Sequence, residues 1–224
     1  MRVGEEKFIL SADEVTALLA HASTDPSSNN AHVGFFPKRG CVAATDGHRL
    51  AELTSERDVG FLPAFREGTF DAEPFVVARL PLSLAVGVAS GMKIAEIHVM
   101  RDHVVVWNAT SLVVGIPCQP NEDRFADYGR IAQMRLDEAP PAREVAIAMA
   151  FDSKLLASLS LVTKASGSAM VTMHQPGSFM EPMLCRNGNW RVLLMPARIP
   201  DVVQRQEARE AAQKADRRER QGLG

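Results

Sequence analysis

The segment Ala44-Thr45-Asp46-Gly47-His48-Arg49-Leu50 combines a turn with side chains that can bind a ligand. Asp-Gly is a common turn pair, and Gly47 lets a ligand backbone approach closely. Arg49 can donate hydrogen bonds to a carbonyl or a carboxylate, His48 can do so more weakly, and Leu50 is apolar. Polar groups at the rim of an apolar surface are typical of a groove that docks a peptide.

Sequence signatures of catalysis are absent. There is no phosphate-binding Gly-x-x-x-x-Gly-Lys loop, no His-Glu-x-x-His and no Gly-x-Ser-x-Gly motif. Asp46 and His48 would share one face of a strand, but neither a nucleophile nor a metal partner accompanies them. Cys41, Cys118 and Cys185 are isolated in apolar runs and predict buried, reduced thiols. We therefore expect no enzymatic activity, no metal site and no cofactor.

The composition is that of an ordinary globular protein, with 46% hydrophobic and 23% charged residues. A net charge of −2 neither requires nor excludes a nucleic-acid partner, so any such contact needs a local basic patch. No apolar run approaches the roughly 18–20 residues that cross a bilayer, and the N-terminus lacks the apolar core of a signal peptide. These features predict a cytoplasmic protein with no membrane partner.

The predicted secondary structure repeats three times. Each unit has an opening strand, then a helix, then an antiparallel sheet. The helix starts are marked by the Ser11/Glu14 capping-box spacing, by Pro81 and by an Asp152 cap. The first unit is predicted to have a strand at 8–10, a helix from 11, and strands at 31–36 and 41–53 with a turn at 37–40. The second is predicted to have a strand at 75–78, a helix from 81 to about 90, and strands at 95–100, 103–108 and 111–119. The third is predicted to have a strand at 144–151, a helix from 152, and strands at 169–175, 179–185 and 190–199.

One helix cannot cover a sheet face and also protect both edges of that sheet, so the units should pair side by side into larger sheets. An odd number of units leaves one without a partner. The sequence therefore predicts an α+β fold that self-associates. The segment 56–73 is a connector, and the charged tail 201–224 is either a solvated extension or a segment that covers a groove or partner.

The repeat and three motifs resemble the bacterial DNA polymerase III beta subunit, the sliding clamp. The family's second domain carries an Ala-Thr-Asp-Gly-His-Arg-Leu-Ala strand, matched by 44–51, and an Arg-Phe-Pro-Asp-Tyr segment, matched by Arg124-Phe125-Ala126-Asp127-Tyr128. Its final strand runs into a Met-Pro-Met-Arg-Leu type sequence, matched by Met195-Pro196-Ala197-Arg198-Ile199. The resemblance covers roughly residues 7–199.

The resemblance implies the DNA-clamp fold in a shortened form. Residues 7–132 resemble the whole second domain, and residues 143–199 resemble the C-terminal half of the third domain, followed by the tail 200–224. If rings of this family hold twelve half-domains, three per chain would close a ring of four chains. A dimer, in which two lone C-terminal halves share one domain, and an open assembly are the alternatives.

The resemblance also implies the site residues. Family partners dock a short peptide between the second and third domains, at positions matched here by Thr45, Gly47, His48, Arg49, Leu50, Leu193, Met195, Pro196 and Arg198. Family helices present basic residues to DNA without reading its sequence. In this chain the corresponding positive lining, the basic residues that would face DNA, is weak. It consists of Lys93, Lys154 and Lys164 on or beside the helices and of Lys38, Arg39, Arg66, Arg101 and Arg130 in loops.

Two functions follow from these expectations. The first is a homo-oligomeric processivity factor, favoured as a tetramer, that encircles or associates with double-stranded DNA. It would tether DNA polymerase or repair proteins that carry clamp-binding peptides, with a clamp loader as a candidate further partner. The second is a clamp-derived interaction module that binds such peptides, or a clamp, without encircling DNA. The thin basic lining favours the second.

Overall fold

The fold places a layer of helices against two antiparallel β-sheets. A computed structural model of the chain describes residues 7–25, 28, 30–54, 73–118, 125, 151–174 and 181–196. The helices of this part are α1 (Ala12–His21), α2 (Arg79–Ala89) and α3 (Ser153–Ser166), with a 3-10 turn at Pro37–Arg39. The strands are β1 (Phe8–Leu10), β2 (His32–Phe36), β3 (Cys41–Thr45), β4 (Arg49–Thr54), β5 (Phe75–Ala78), β6 (Ala95–Val99), β7 (His103–Asn108), β8 (Ser111–Pro117), β9 (Thr172–His174), β10 (Met183–Asn187) and β11 (Trp190–Leu194).

Two of the three helix starts agree with the caps predicted from the sequence. The capping box of α1 is complete, because Ser11 Oγ accepts from the Glu14 amide at 3.2 Å and Glu14 Oε2 accepts from the Ser11 amide at 2.7 Å. Asp152 caps α3 by accepting from the Lys154 amide at 2.8 Å. The predicted start of α2 was wrong by two residues: α2 begins at Arg79, since a proline is tolerated elsewhere in the first turn.

Several predicted strands differ from the observed ones. The run 41–53 is not one strand but two, because Gly47 takes φ +90 and reverses the chain between β3 and β4. In the third unit the strands are β9, β10 and β11, which are shorter than or shifted from the predicted 169–175, 179–185 and 190–199. The opening strand predicted at 144–151 falls on residues 144–150, outside the described part, and on Phe151, which lies in no strand.

The first two units exchange their opening strands. One sheet has the order β1-β6-β7-β8, and the other has the order β5-β2-β3-β4-β11-β10-β9. β1 of the first unit therefore pairs with the second unit, while β5 of the second pairs with β2 of the first. Phe35 stacks on Phe75 at 5.0 Å and meets Phe8 edge-on at 5.1 Å, so both exchanged strands enter one aromatic cluster.

The third unit joins the first through β11, which pairs antiparallel with β4 over five residue pairs. This confirms the prediction that units pair side by side into larger sheets. The division into 7–132, 143–199 and 200–224 stays a prediction, because the boundaries at 132, 143, 199 and 200 lie outside the described residues.

The main core lies between the helices and the sheets, and includes Val15 and Leu18 of α1, Leu82 of α2 and Val162 of α3. A smaller apolar cluster lies on the opposite face of the seven-stranded sheet. The three cysteines are buried, as predicted, and burial raises the pKa of Cys118 and of Cys185 to about 11. Within the ranges given above, no helix is long and apolar enough to span a membrane.

Candidate peptide-binding groove

The turn between β3 and β4 is held by its own side chains. Thr45 Oγ1 donates to the Arg49 carbonyl at 2.7 Å and accepts from the Gly47 amide at 3.1 Å. Asp46 Oδ1 accepts from the amides of His48 and Arg49, at 2.9 and 3.0 Å. These four bonds fix the turn backbone and leave Gly47 and His48 exposed at its tip.

Arg49 is oriented by an ion pair within the same turn. Its Nε donates to Asp46 Oδ2 at 2.8 Å, and the two side chains are only 16% and 18% exposed. Among the described residues the Arg49 Nη atoms make no hydrogen bond, so they are the donors left for a ligand. Asp46, which the sequence suggested only as a turn residue or half of an acid/base pair, therefore positions the predicted peptide-binding guanidinium.

The final strand brings the second half of the predicted site to this turn. Leu193 lies opposite Leu50 and Leu194 opposite Arg49 in the β4–β11 pair. Beyond the strand, the Met195 amide donates to the His48 carbonyl at 2.9 Å. Eight of the nine predicted groove residues thus lie on or next to one strand junction, Pro196 following Met195; Arg198 lies outside the described residues.

The predicted apolar floor is largely buried by the protein itself. Leu50 and Leu193 are 4% and 5% exposed and belong to the smaller cluster on the outer face of the sheet. Met195 is 40% exposed, so it supplies the apolar surface that a ligand can cover. Its flexible thioether side chain adapts to ligands of different shape.

Phe36 and Phe125 complete this outer cluster, and a place beside the groove was predicted for neither of them from the sequence. Their rings meet edge-on at 5.6 Å above Gly34. A Cβ at Gly34 would lie 2.8 Å from atoms of both rings, so only glycine leaves room for them. The alternation of β2, which puts Gly34 and Phe36 on one face, was the available signal. Phe125 is the phenylalanine of the 124–128 motif.

The predicted DNA-contacting lysines are spread over the helix layer. Lys93 is exposed after α2, and Lys154 is exposed in the first turn of α3. Lys164 donates to Asp13 Oδ1 at 2.8 Å, which offsets its charge. The outward face of α2 carries Leu80 and Leu84 rather than cations.

Loop cations add little to this lining. Lys38 pairs with Glu73 at 2.8 Å, and Arg101 donates to the Glu73 carbonyl at 2.9 Å while lying over the Phe75 ring. Arg66 and Arg130 fall outside the described residues. Arg79, at the start of α2, donates to the carbonyls of Leu19 and Ala22 and so caps the C-terminal end of α1. The described part of the helix layer therefore has a thin positive lining.

Metal chemistry has no cluster of ligands to work with in the described ranges, where no three His, Cys, Asp or Glu residues are placed to hold an ion. The arrangement at the β4–β11 junction instead suits a peptide, with backbone groups, a guanidinium and an apolar Met side chain on one surface.

Comparison with known proteins identifies the fold. No protein-family model and no curated protein matches the sequence. The chain is similar to the DNA polymerase sliding clamp from Pseudomonas aeruginosa, with 14% identity and a TM-score of 0.56 over 89% of this chain and 68% of that one. The griselimycin-bound P. aeruginosa clamp gives 14% and 0.57 over 89% and 67%, and the DNA polymerase III beta subunit from Thermotoga maritima gives 12% and 0.57 over 86% and 65%. The chain therefore has the fold of the DNA polymerase III sliding clamps and spans about two thirds of their length.

Proposed function

We propose that this protein is a non-catalytic, clamp-like tether that takes a short peptide of a DNA polymerase or repair protein in the groove at the β4–β11 junction. The observation that carries the proposal is the placement of the exposed Met195 beside the Thr45–Arg49 turn, with the Met195 amide bonded to the His48 carbonyl. A ligand backbone can approach at Gly47, while Arg49 offers its Nη donors and Met195 an apolar contact.

The proposal is tested by fluorescence anisotropy with a labelled peptide that carries a clamp-binding motif. Met195→Ala is expected to weaken binding about three- to eightfold, because covering the 40% of Met195 that is exposed contributes about 0.6–1.2 kcal/mol of the roughly 1.5–3 kcal/mol for a whole Met side chain. Arg49→Ala is expected to weaken it as well, through loss of charge-assisted hydrogen bonds. Griselimycin, which is bound in the P. aeruginosa clamp, is a second probe.

Met173→Ala is the matched control for Met195→Ala. Met173 is also an exposed methionine of the seven-stranded sheet, at 51%, but lies opposite Cys185 of the main core, on the other face. Its replacement should leave peptide affinity unchanged. Equal peptide affinity in the wild type, Met195→Ala and Arg49→Ala would contradict the assignment of the groove.

The oligomer and the DNA contact are part of the same proposal. In the described part of the chain, the four-stranded sheet ends in β1 and β8 and the seven-stranded sheet ends in β5 and β9, and unpaired edges of this kind support assembly with further copies. We expect a tetrameric ring around double-stranded DNA, with a dimer as the alternative. Light scattering distinguishes the tetramer from the dimer, and a monomer at micromolar concentration would contradict both assemblies.

The alternative function is an interaction module that binds clamp-seeking peptides without encircling DNA. The specific observation in its favour is the thin positive lining, in which Lys164 is paired with Asp13 and α2 presents leucines outward. Retention on nicked circular DNA that is lost after linearisation is the expected result for a ring. Equal retention on both substrates, or none on either, favours the module.

A further inference from the structure

The second unit exposes apolar side chains on its helix and on its last strand. Leu80 and Leu84 of α2 lie one turn apart and are 68% and 51% exposed. Leu112 and Val113 of β8 are 59% and 41% exposed. α2 packs on β8, which is an edge strand of its sheet, and we call these four exposed residues together the β8 edge.

Comparison of the units shows what this edge corresponds to. Val15, Leu18 and Ala22, in and just after α1, have the same spacing as Leu82, Ala85 and Ala89 in α2, and both sets are buried in the main core. Aligning the two helices on these residues places Leu80 where α1 has Asp13, Leu84 where it has Ala17, and Val88 where it has His21.

In the first unit these positions are covered by α3. Asp13 accepts from Lys164 at 2.8 Å, and Ala17 is fully buried. His21 Nε2 lies 3.2 Å from Ser158 Oγ. The Leu80–Leu84 stripe is therefore the counterpart of a helix face that is covered within the chain.

The last strands of the units show the same difference between a covered and an uncovered surface. β4 and β11 are the last strands of the first and third units, and they pair antiparallel with each other. Nearly every residue of β4 and β11 is consequently buried, whereas β8, the last strand of the second unit, is mostly exposed and lies at the edge of its sheet.

We propose that the β8 edge is covered by the same edge of a second copy, with β8 antiparallel to β8 across a two-fold axis and the two α2 helices side by side. This pairing would repeat the one between β4 and β11, in which the last strand of one unit pairs with the last strand of another. The contact is self-complementary, because Leu80, Leu84, Leu112 and Val113 meet their own counterparts and no charge among them is buried. This proposal deepens the self-association put forward above and rests on it.

Single cysteines introduced along 111–115 test the geometry. A residue near a two-fold axis faces itself, so one or two of these variants should form a disulfide-linked pair of the 24.4 kDa chain under mild oxidation. The native cysteines are buried and give a low background. Ser160→Cys, exposed on α3, is the matched control and should not cross-link to itself.

Glu substitutions test the energetics. Leu84→Glu and Leu112→Glu should reduce the mass measured by light scattering by half or more, while Leu156→Glu, at a leucine that is 40% exposed on α3, should not. Unchanged peptide affinity in the variants verifies that they are folded. An oligomer that persists in both, with no cross-linking along β8 above the Ser160→Cys level, overturns this interface and leaves self-association standing. A monomeric wild type overturns both.

Discussion

Replacing Trp190 with alanine is expected to lower the free energy of unfolding by about 3–5 kcal/mol. Trp190 is 1% exposed, lies opposite Leu53 in the β4–β11 pair and belongs to the main core. The cavity would lie at the strand that joins the third unit to the first, so peptide affinity at the groove should fall as well. Urea unfolding followed by circular dichroism measures the first effect, and anisotropy with the labelled peptide measures the second.

Trp107→Ala is the control, since it removes the other tryptophan of the chain. Trp107 is only partly buried on β7, stands outside the main core and packs against His98 at 5.9 Å. It should cost less stability and leave the groove intact. Equal losses of stability and of peptide affinity in the two variants would contradict a special role for Trp190 at the β4–β11 junction.

Acidification is expected to destabilise the protein through His21. Burial between α1 and α3 is the main cause that lowers the His21 pKa from 6.5 to about 4, and the hydrogen bond from Nδ1 to the Ala17 carbonyl opposes it. The positive Arg49 lowers this pKa further, whereas the negative Asp46 raises it. The folded state therefore favours the neutral imidazole.

The direction of the pH effect follows from the difference between the pKa of His21 in the folded state and in the unfolded state. A histidine whose folded pKa lies below its unfolded pKa contributes its full stability above about pH 6.5 and loses it as the pH falls toward 4. Between about pH 7.5 and pH 4.5 this loss is about 2–3 kcal/mol. The measurement is the free energy of unfolding of the wild type and of His21→Gln at both pH values.

His21→Gln keeps a polar side chain but does not titrate. Carboxylates that protonate in the same range are common to both proteins, so the difference between their pH dependences isolates His21. The same loss of stability on acidification in both proteins would show that His21 does not carry it.

Local chemistry explains which features could be predicted from the sequence. The caps at Ser11 and Asp152 depend on residues within three positions, and the Gly47 turn needs only a residue that accepts positive φ. The exchange of β1 and β5 could not be predicted this way, because pairing partners far apart in the chain leave no local pattern. Arg79 likewise reads as an ordinary helix residue until the C-terminal end of α1 is placed beside it.

The groove was predictable only in part, for the same reason. Resemblance alone brought Thr45–Leu50 and Leu193–Pro196 together. The ion pair between Asp46 and Arg49 depends on the shape of a three-residue turn, and the burial of Leu50 depends on Phe36 and Phe125 arriving from other segments. The apolar stripe of α2 was visible in the sequence, but its meaning required the covered equivalent in α1.

The exchange of β1 and β5 has a mechanical consequence. Pulling the first two units apart would require breaking strand pairs in both sheets together, so they behave as one block under load. The contact between the first and third units is simpler, because it consists of one strand pair and the packing of α1 on α3. A peptide that touches both the turn at Gly47 and the side chain of Met195 would contact both units, so its binding would stabilise the contact between them.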